Sequence, residues 1–148
     1  MRNLAALIAG LSISVVAIAQ QLNIPSEDSG NHRAHCSEEW TKRGVLDQSM
    51  FDYCMRKEAE GYRSLVSLAN KYKSMSWIQA AVDHSIKEWT KRGVRQDSMV
   101  HYQLNKITEG YEDQVYLAKQ PGWNRSKYDG CSRQWGIDFS MVVFCYKK

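Results

Sequence analysis

Two short segments of this 148-residue chain carry the same potentially reactive side chains at the same spacing. His35, Glu39 and Trp40 form one set; His84, Glu88 and Trp89 form the other. On a helix, a His and a Glu four residues apart share a face. They can hydrogen bond, act as an acid–base pair or supply two ligands to a metal. A metal site needs more ligands than two. His32 lies three residues before His35, but Ala81 stands at the matching place in the second set. Asp83-His84 is an adjacent acid–base pair without a nucleophile motif beside it, since the chain has no G-x-S-x-G and no phosphate-cradling glycine loop. Sixteen acidic residues offer many carboxylate pairs, and no pattern singles one out for glycan hydrolysis. The sequence therefore assigns no catalytic residue, no metal ligand and no cofactor. The plainest reading of His35/Glu39 and His84/Glu88 is a hydrogen bond along a helix surface.

The two sets belong to a longer repeat. EWTKRGV occurs at 39–45 and again at 88–94, and aligning residues 35–71 with 84–120 gives 18 identities without a gap. A shorter third copy closes the chain: CSRQW at 131–135 matches CSEEW at 36–40, and SMVVFC at 140–145 matches SMFDYC at 49–54. It lacks about four residues where the others carry TKRG.

The repeat pairs the cysteines. Cys36 and Cys54 in the first copy correspond to Cys131 and Cys145 in the third, whereas the second copy has Ser85 and Gln103. Losing both members together is what a bonded pair does, because a leftover thiol is a liability in an oxidising compartment. The expected bridges are Cys36–Cys54 and Cys131–Cys145, each contributing about 3 kcal/mol in the chain-entropy model. A Ser85–Gln103 hydrogen bond is expected in place of the missing bridge.

The chain opens with Arg2, an apolar run over 4–16 and an Ala17-Ile18-Ala19 cleavage pattern. Residues 1–19 read as a secretory signal peptide. No later apolar stretch is long enough to span a bilayer. Without Arg2 the formal charge falls from +4 to +3, and signs alternate along the chain, which argues against a nucleic-acid partner.

The elements that position these residues read as helices. Residues 97–119 contain no Pro and one Gly, with Met99, Tyr102, Lys106, Gly110, Tyr111, Val115 and Ala118 near three- and four-residue spacing. Residues 47–71 are equivalent. Asp47, Asp97 and Asp138 precede the Ser-Met pairs and suit N-caps. Residues 76–93 read as a further helix, opened by a Ser76–Gln79 capping box and closed by Lys91, Arg92 and a Gly93 C-cap. EWTKRGV is then a helix end, its C-cap and the turn into the next helix. The fold class is all-α: three αα-hairpins over about 35–72, 76–120 and 127–148, stacked into one domain spanning 35–148. The structural seam pairs Trp40 with Met50, Trp89 with Met99 and Trp135 with Met141. Gly61 and Gly110, each within an EGY triplet, mark close helix approach. Gln20 to Ala34 read as a flexible leader.

CSRQWGIDFSMVVFC resembles a pattern in small exported bacterial proteins of unassigned function: Cys, three residues, Trp, a short turn, then Met, three residues, Cys. The resemblance covers about fifteen residues of the third copy and, with a longer turn, the first. It implies a cross-linked helical hairpin and no activity.

Candidate binding residues are the basic turn residues Lys42, Arg43, Lys91 and Arg92, together with Trp77 and Trp123, which have no place in the seam. Tyr and Trp make up thirteen of the sixteen aromatics and dominate binding hot spots. The functional expectation is an exported, non-catalytic binding or structural module of the bacterial envelope, in the periplasm or outside the cell. Its partner is another envelope protein or an anionic envelope component. The alternative is a small peptidoglycan-related envelope enzyme or enzyme inhibitor.

Overall fold

The computed structural model describes residues 21–148, so the signal-peptide reading of 1–19 lies outside the described residues. The described chain is mostly helical and holds six helices: α1 Ser29–Trp40, α2 Gln48–Lys71, α3 Ile78–Glu88, α4 Asp97–Leu117, α5 Arg125–Trp135 and α6 Phe139–Lys147. None is long and apolar enough to cross a membrane. Two disulfides, Cys36–Cys54 and Cys131–Cys145, clamp α1 to α2 and α5 to α6.

EWTKRGV does not simply end a helix. It forms a miniature β-hairpin, built twice. β1 Thr41–Lys42 pairs with β2 Val45–Leu46, and β3 Thr90–Lys91 with β4 Val94–Arg95. The connecting residues Arg43-Gly44 and Arg92-Gly93 all have positive φ, at 52° and 78° and at 53° and 79°. Positive φ at both central residues is the type I′ turn, whose twist suits a two-residue hairpin. The expected Gly93 C-cap is therefore corrected: the helices stop earlier, at Trp40 and Glu88, and the glycines occupy the second turn position. The amides of Asp47 and Gln96 then close the hairpins on the Trp40 and Trp89 carbonyls, both at 3.0 Å. α3 likewise starts two residues later than Ser76, at Ile78, without a side-chain cap.

The even-numbered helices α2, α4 and α6 run parallel and staggered. The first turn of α4 rests on Gly61 at mid-α2, and further along Glu112 accepts a hydrogen bond from Tyr72 at the end of α2. The same contact recurs one step on, where the first turn of α6 rests on Gly110 and Lys147 pairs with Asp113 at 3.2 Å. A Cβ on Gly61 would lie 2.5 Å from Ser98 N, and one on Gly110 would lie 2.5 Å from Phe139 C. Both are backbone clashes, so glycine is required for the packing. Ser98 and Ser140 are repeat equivalents, so one contact is made twice.

The main core joins Leu65 and Ala69 of α2, Ile78, Ala81 and Val82 of α3, and Val100, Leu104 and Ile107 of α4. The expected seam methionines are displaced by one residue: the buried equivalents are Phe51, Val100 and Val142, whereas Met50, Met99 and Met141 are only partly buried. Trp135 is corrected too, for it is 37% exposed. Ser85 and Gln103 do not bond to each other. The Ser85 hydroxyl donates back to the Ala81 carbonyl at 2.8 Å, and Gln103 reaches Asp138 at 3.3 Å.

Asp47 and Asp138 cap α2 and α6 through the amides of Met50 and Met141, each at 3.2 Å. Asp97 does not cap α4. That N-terminus borrows the buried Glu58 of α2, which accepts from Ser98 N at 3.2 Å and Ser98 Oγ at 2.6 Å. Asp97 instead forms a buried ionic cluster. His32 Nε2 lies 2.8 Å from its Oδ2, and Arg95 donates to both carboxylate oxygens. Arg95 also donates to the Ser26 carbonyl at 3.0 Å. Residues 21–34, read as a flexible leader, are thus fastened down: Leu22 and Ile24 pack on the core, Asn23 exchanges hydrogen bonds with Gln79, and α1 begins at Ser29.

Two equivalent clefts as the candidate functional site

The stagger of the helix pairs opens a cleft between each pair and the next. The first is lined on one side by His35, Glu39 and Trp40, and on the other by Trp89, Gln96 and the hairpin residues Lys91 and Arg92. The second is lined by His84, Glu88 and Trp89 and then by Trp135 and Asp138. These are repeat-equivalent walls: His, Glu and Trp from the end of one short helix, then Trp and the N-cap residue of the next pair. Trp89 serves both clefts. The third copy carries Gly130 and Gln134 where the others carry His and Glu. The His/Glu pair is thus present in the two copies whose wall faces another helix pair.

In the first cleft His35 Nε2 lies 3.4 Å from Glu39 and 3.9 Å from the buried Glu58. His35, Glu39 and Cys54 converge as a metal site would, but the Cys54 sulfur is bonded to Cys36 and unavailable as a thiolate ligand. Ser98, Glu58 and His35 also lie in a line. The carboxylate stands between hydroxyl and imidazole, whereas activation of a serine needs the imidazole beside the hydroxyl.

The basic turn residues divide. Arg92 reaches Glu38 at 3.4 Å in an exposed ion pair, and the second hairpin packs on α1 through β4. The first hairpin has no such contact: every residue from Thr41 to Ser49 is exposed, Val45 at 72%. Lys42 and Lys91 lie over the rings of Trp40 and Trp89 at 5.9 and 5.5 Å, and Lys91 lines both clefts. Trp77 and Trp123 are partly buried in aromatic clusters away from both clefts. Trp77 sits among Tyr72, Tyr111 and Phe139, and Trp123 stacks on Tyr128 and Tyr146. Sequence reasoning read Trp40, Trp89 and Trp135 as seam and missed them as cleft wall. Their recurrence beside the His/Glu pairs was the available signal.

A second repeated feature lies on the even-numbered helices. Tyr53, Tyr102 and Phe144 occupy equivalent positions, are about half exposed, and each carries a lysine four residues on, over its ring: Lys57, Lys106 and Lys148. Tyr53 and Lys57 also border the first cleft.

No family model, curated protein or solved structure matches this chain.

Proposed function

We propose that this is an exported, non-catalytic binding module of the bacterial envelope, contacting an extended partner along its row of clefts. The observation that carries the reading is the duplication of one cleft with the same His, Glu and Trp residues in each copy. A catalytic centre is ordinarily assembled once, from residues with distinct roles. A surface built in repeating units suits a ligand that is itself extended, as in other repeat architectures. The N-terminal segment and the two disulfides support residence in an oxidising compartment beyond the cytoplasm.

The test is co-sedimentation of the full-length chain with separated membrane and peptidoglycan fractions. Parent protein should be retained by at least one fraction. A His35→Ala/His84→Ala variant, altered in both clefts, should fold normally and be retained less. Equal retention of that variant, with loss on replacing Lys42, Arg43, Lys91 and Arg92, would move the site to the hairpin tips. Retention by neither fraction would refute the reading.

A further inference from the structure

We propose that the second cleft, between α3 and the α5–α6 turn, binds a neutral pyranose oligosaccharide. This rests on the binding-module reading and names the ligand class for one of its clefts.

The first observation is a difference between the two clefts. Part of the first cleft's wall is the second hairpin, through Lys91, Arg92 and Val94, and this hairpin packs on α1 through β4. The third pair lacks the four residues that would build such a tip. Its turn is the tight Gly136, at φ 56°, so the third pair brings no hairpin of its own to the second cleft, whose one hairpin residue is Lys91 of the second pair. The cleft holds about 470 Å³, within the roughly 300–1,000 Å³ common for ligand pockets. Trp135 is left 37% exposed in its wall.

The second observation is the lining chemistry. Trp135 offers an exposed aromatic platform, with Trp89 beside it under Lys91, and the negative face of an indole attracts the weakly positive C–H groups on the flat side of a sugar ring. Glu88 and Asp138 accept hydrogen bonds from hydroxyls, and the amides of Gln103 and Gln134 both donate and accept, as paired hydroxyl and acetamido groups require. Gln103 is already held toward Asp138 at 3.3 Å, which fixes two of these groups together.

Charge excludes the competing ligand. Two carboxylates, Glu88 and Asp138, face one ammonium, Lys91, so the site disfavours a polyanion. The anionic partner expected from the basic turns does not fit this cleft. An oligomer of N-acetylglucosamine or glucose does.

The experiment titrates the full-length chain with N-acetylglucosamine tetramer and, separately, with cellohexaose. Binding is followed by tryptophan fluorescence and calorimetry, with hyaluronan and a proline-rich peptide as counter-probes. At least one neutral oligosaccharide should bind saturably. Trp135→Ala, at an exposed position, should weaken it by about tenfold or more, the loss of one aromatic hot spot. Glu88→Gln gives a milder second reading with little risk to folding. Inserting Thr-Lys-Arg-Gly after Trp135, to rebuild a hairpin tip, should abolish it. Tyr116→Ala, an exposed aromatic of α4 outside both clefts, should leave it unchanged. The proposal is overturned if neither sugar binds, if Trp135→Ala binds as the parent does, or if hyaluronan or the peptide binds better. Envelope retention without oligosaccharide binding would sink this ligand class and leave the module reading standing.

Discussion

Replacing Gly61 by Ala places a methyl group where no room exists. Its Cβ would sit 2.5 Å from Ser98 N and 2.8 Å from Asp97 C, both backbone atoms in the first turn of α4. Ordinary contact begins at 3.4 Å, so α4 must retreat by about 0.9 Å or α2 must bend. The retreat strains the two Glu58–Ser98 hydrogen bonds and the layer formed by Leu65 and Leu104. Overpacking of this kind costs about 1–3 kcal/mol, and loosening a buried carboxylate from its donors about 1–3 more. Against this, Ala in a helix interior gains about 1 kcal/mol over Gly. The expected net loss is about 1–5 kcal/mol, read as a fall in urea midpoint at constant slope. Gly110→Ala should cost a similar amount through Phe139 and Ser140. Gly130→Ala is the matched control. It too is inside a helix, but its Cβ meets only the Arg133 guanidinium at 3.9 Å, so it should stabilise by about 0.5–1 kcal/mol. If Gly61→Ala and Gly130→Ala shift the midpoint in the same direction, the close-approach argument is wrong.

Arg43→Asn should stabilise by about 0.5–1 kcal/mol in chemical denaturation, since Asn tolerates positive φ and Asn-Gly suits a type I′ turn; Gly93→Val should cost about 1 kcal/mol or more. Asp97→Asn leaves the buried Arg95 without its anion and should cost about 3–5 kcal/mol. Its local signature is faster hydrogen exchange at the Asn23 amide, and unchanged protection there would show that the ionic cluster does not hold the N-terminal segment. The Asp47 carboxyl is held below its ordinary value of 3.8, first by the Met50 amide and then by the Ser49 hydroxyl. A depressed folded-state pKa stabilises above the unfolded value and is lost as pH falls through the folded one. The Met50 amide resonance should therefore titrate below pH 3.8, and a midpoint at or above that value would contradict the cap.

Much of this protein is local, and what is local was legible in the chain. Helix periodicity, the Asp47 and Asp138 caps and the glycines of the two EGY triplets need only neighbouring residues or self-comparison to be read. The cysteine pairing followed from the second copy lacking both partners, because bonded residues are lost together. EWTKRGV was legible as a junction but not as a β-hairpin, because a helix C-cap and a type I′ turn both call for a positive-φ glycine. The choice lay in Thr41 and Val45 pairing across the turn and in the Trp40 carbonyl finding the Asp47 amide. Three things were decided only by the tertiary structure. Asp97 became a buried ion partner because it stands one residue past the cap position held by Gln96, where Arg95 and His32 reach its carboxylate. Residues 21–34 became ordered because His32 and Arg95 meet on that same Asp97. The clefts exist because each even-numbered helix rests its first turn on the middle of the even-numbered one before. That stagger brings residues of different copies face to face, and no window of sequence contains both walls.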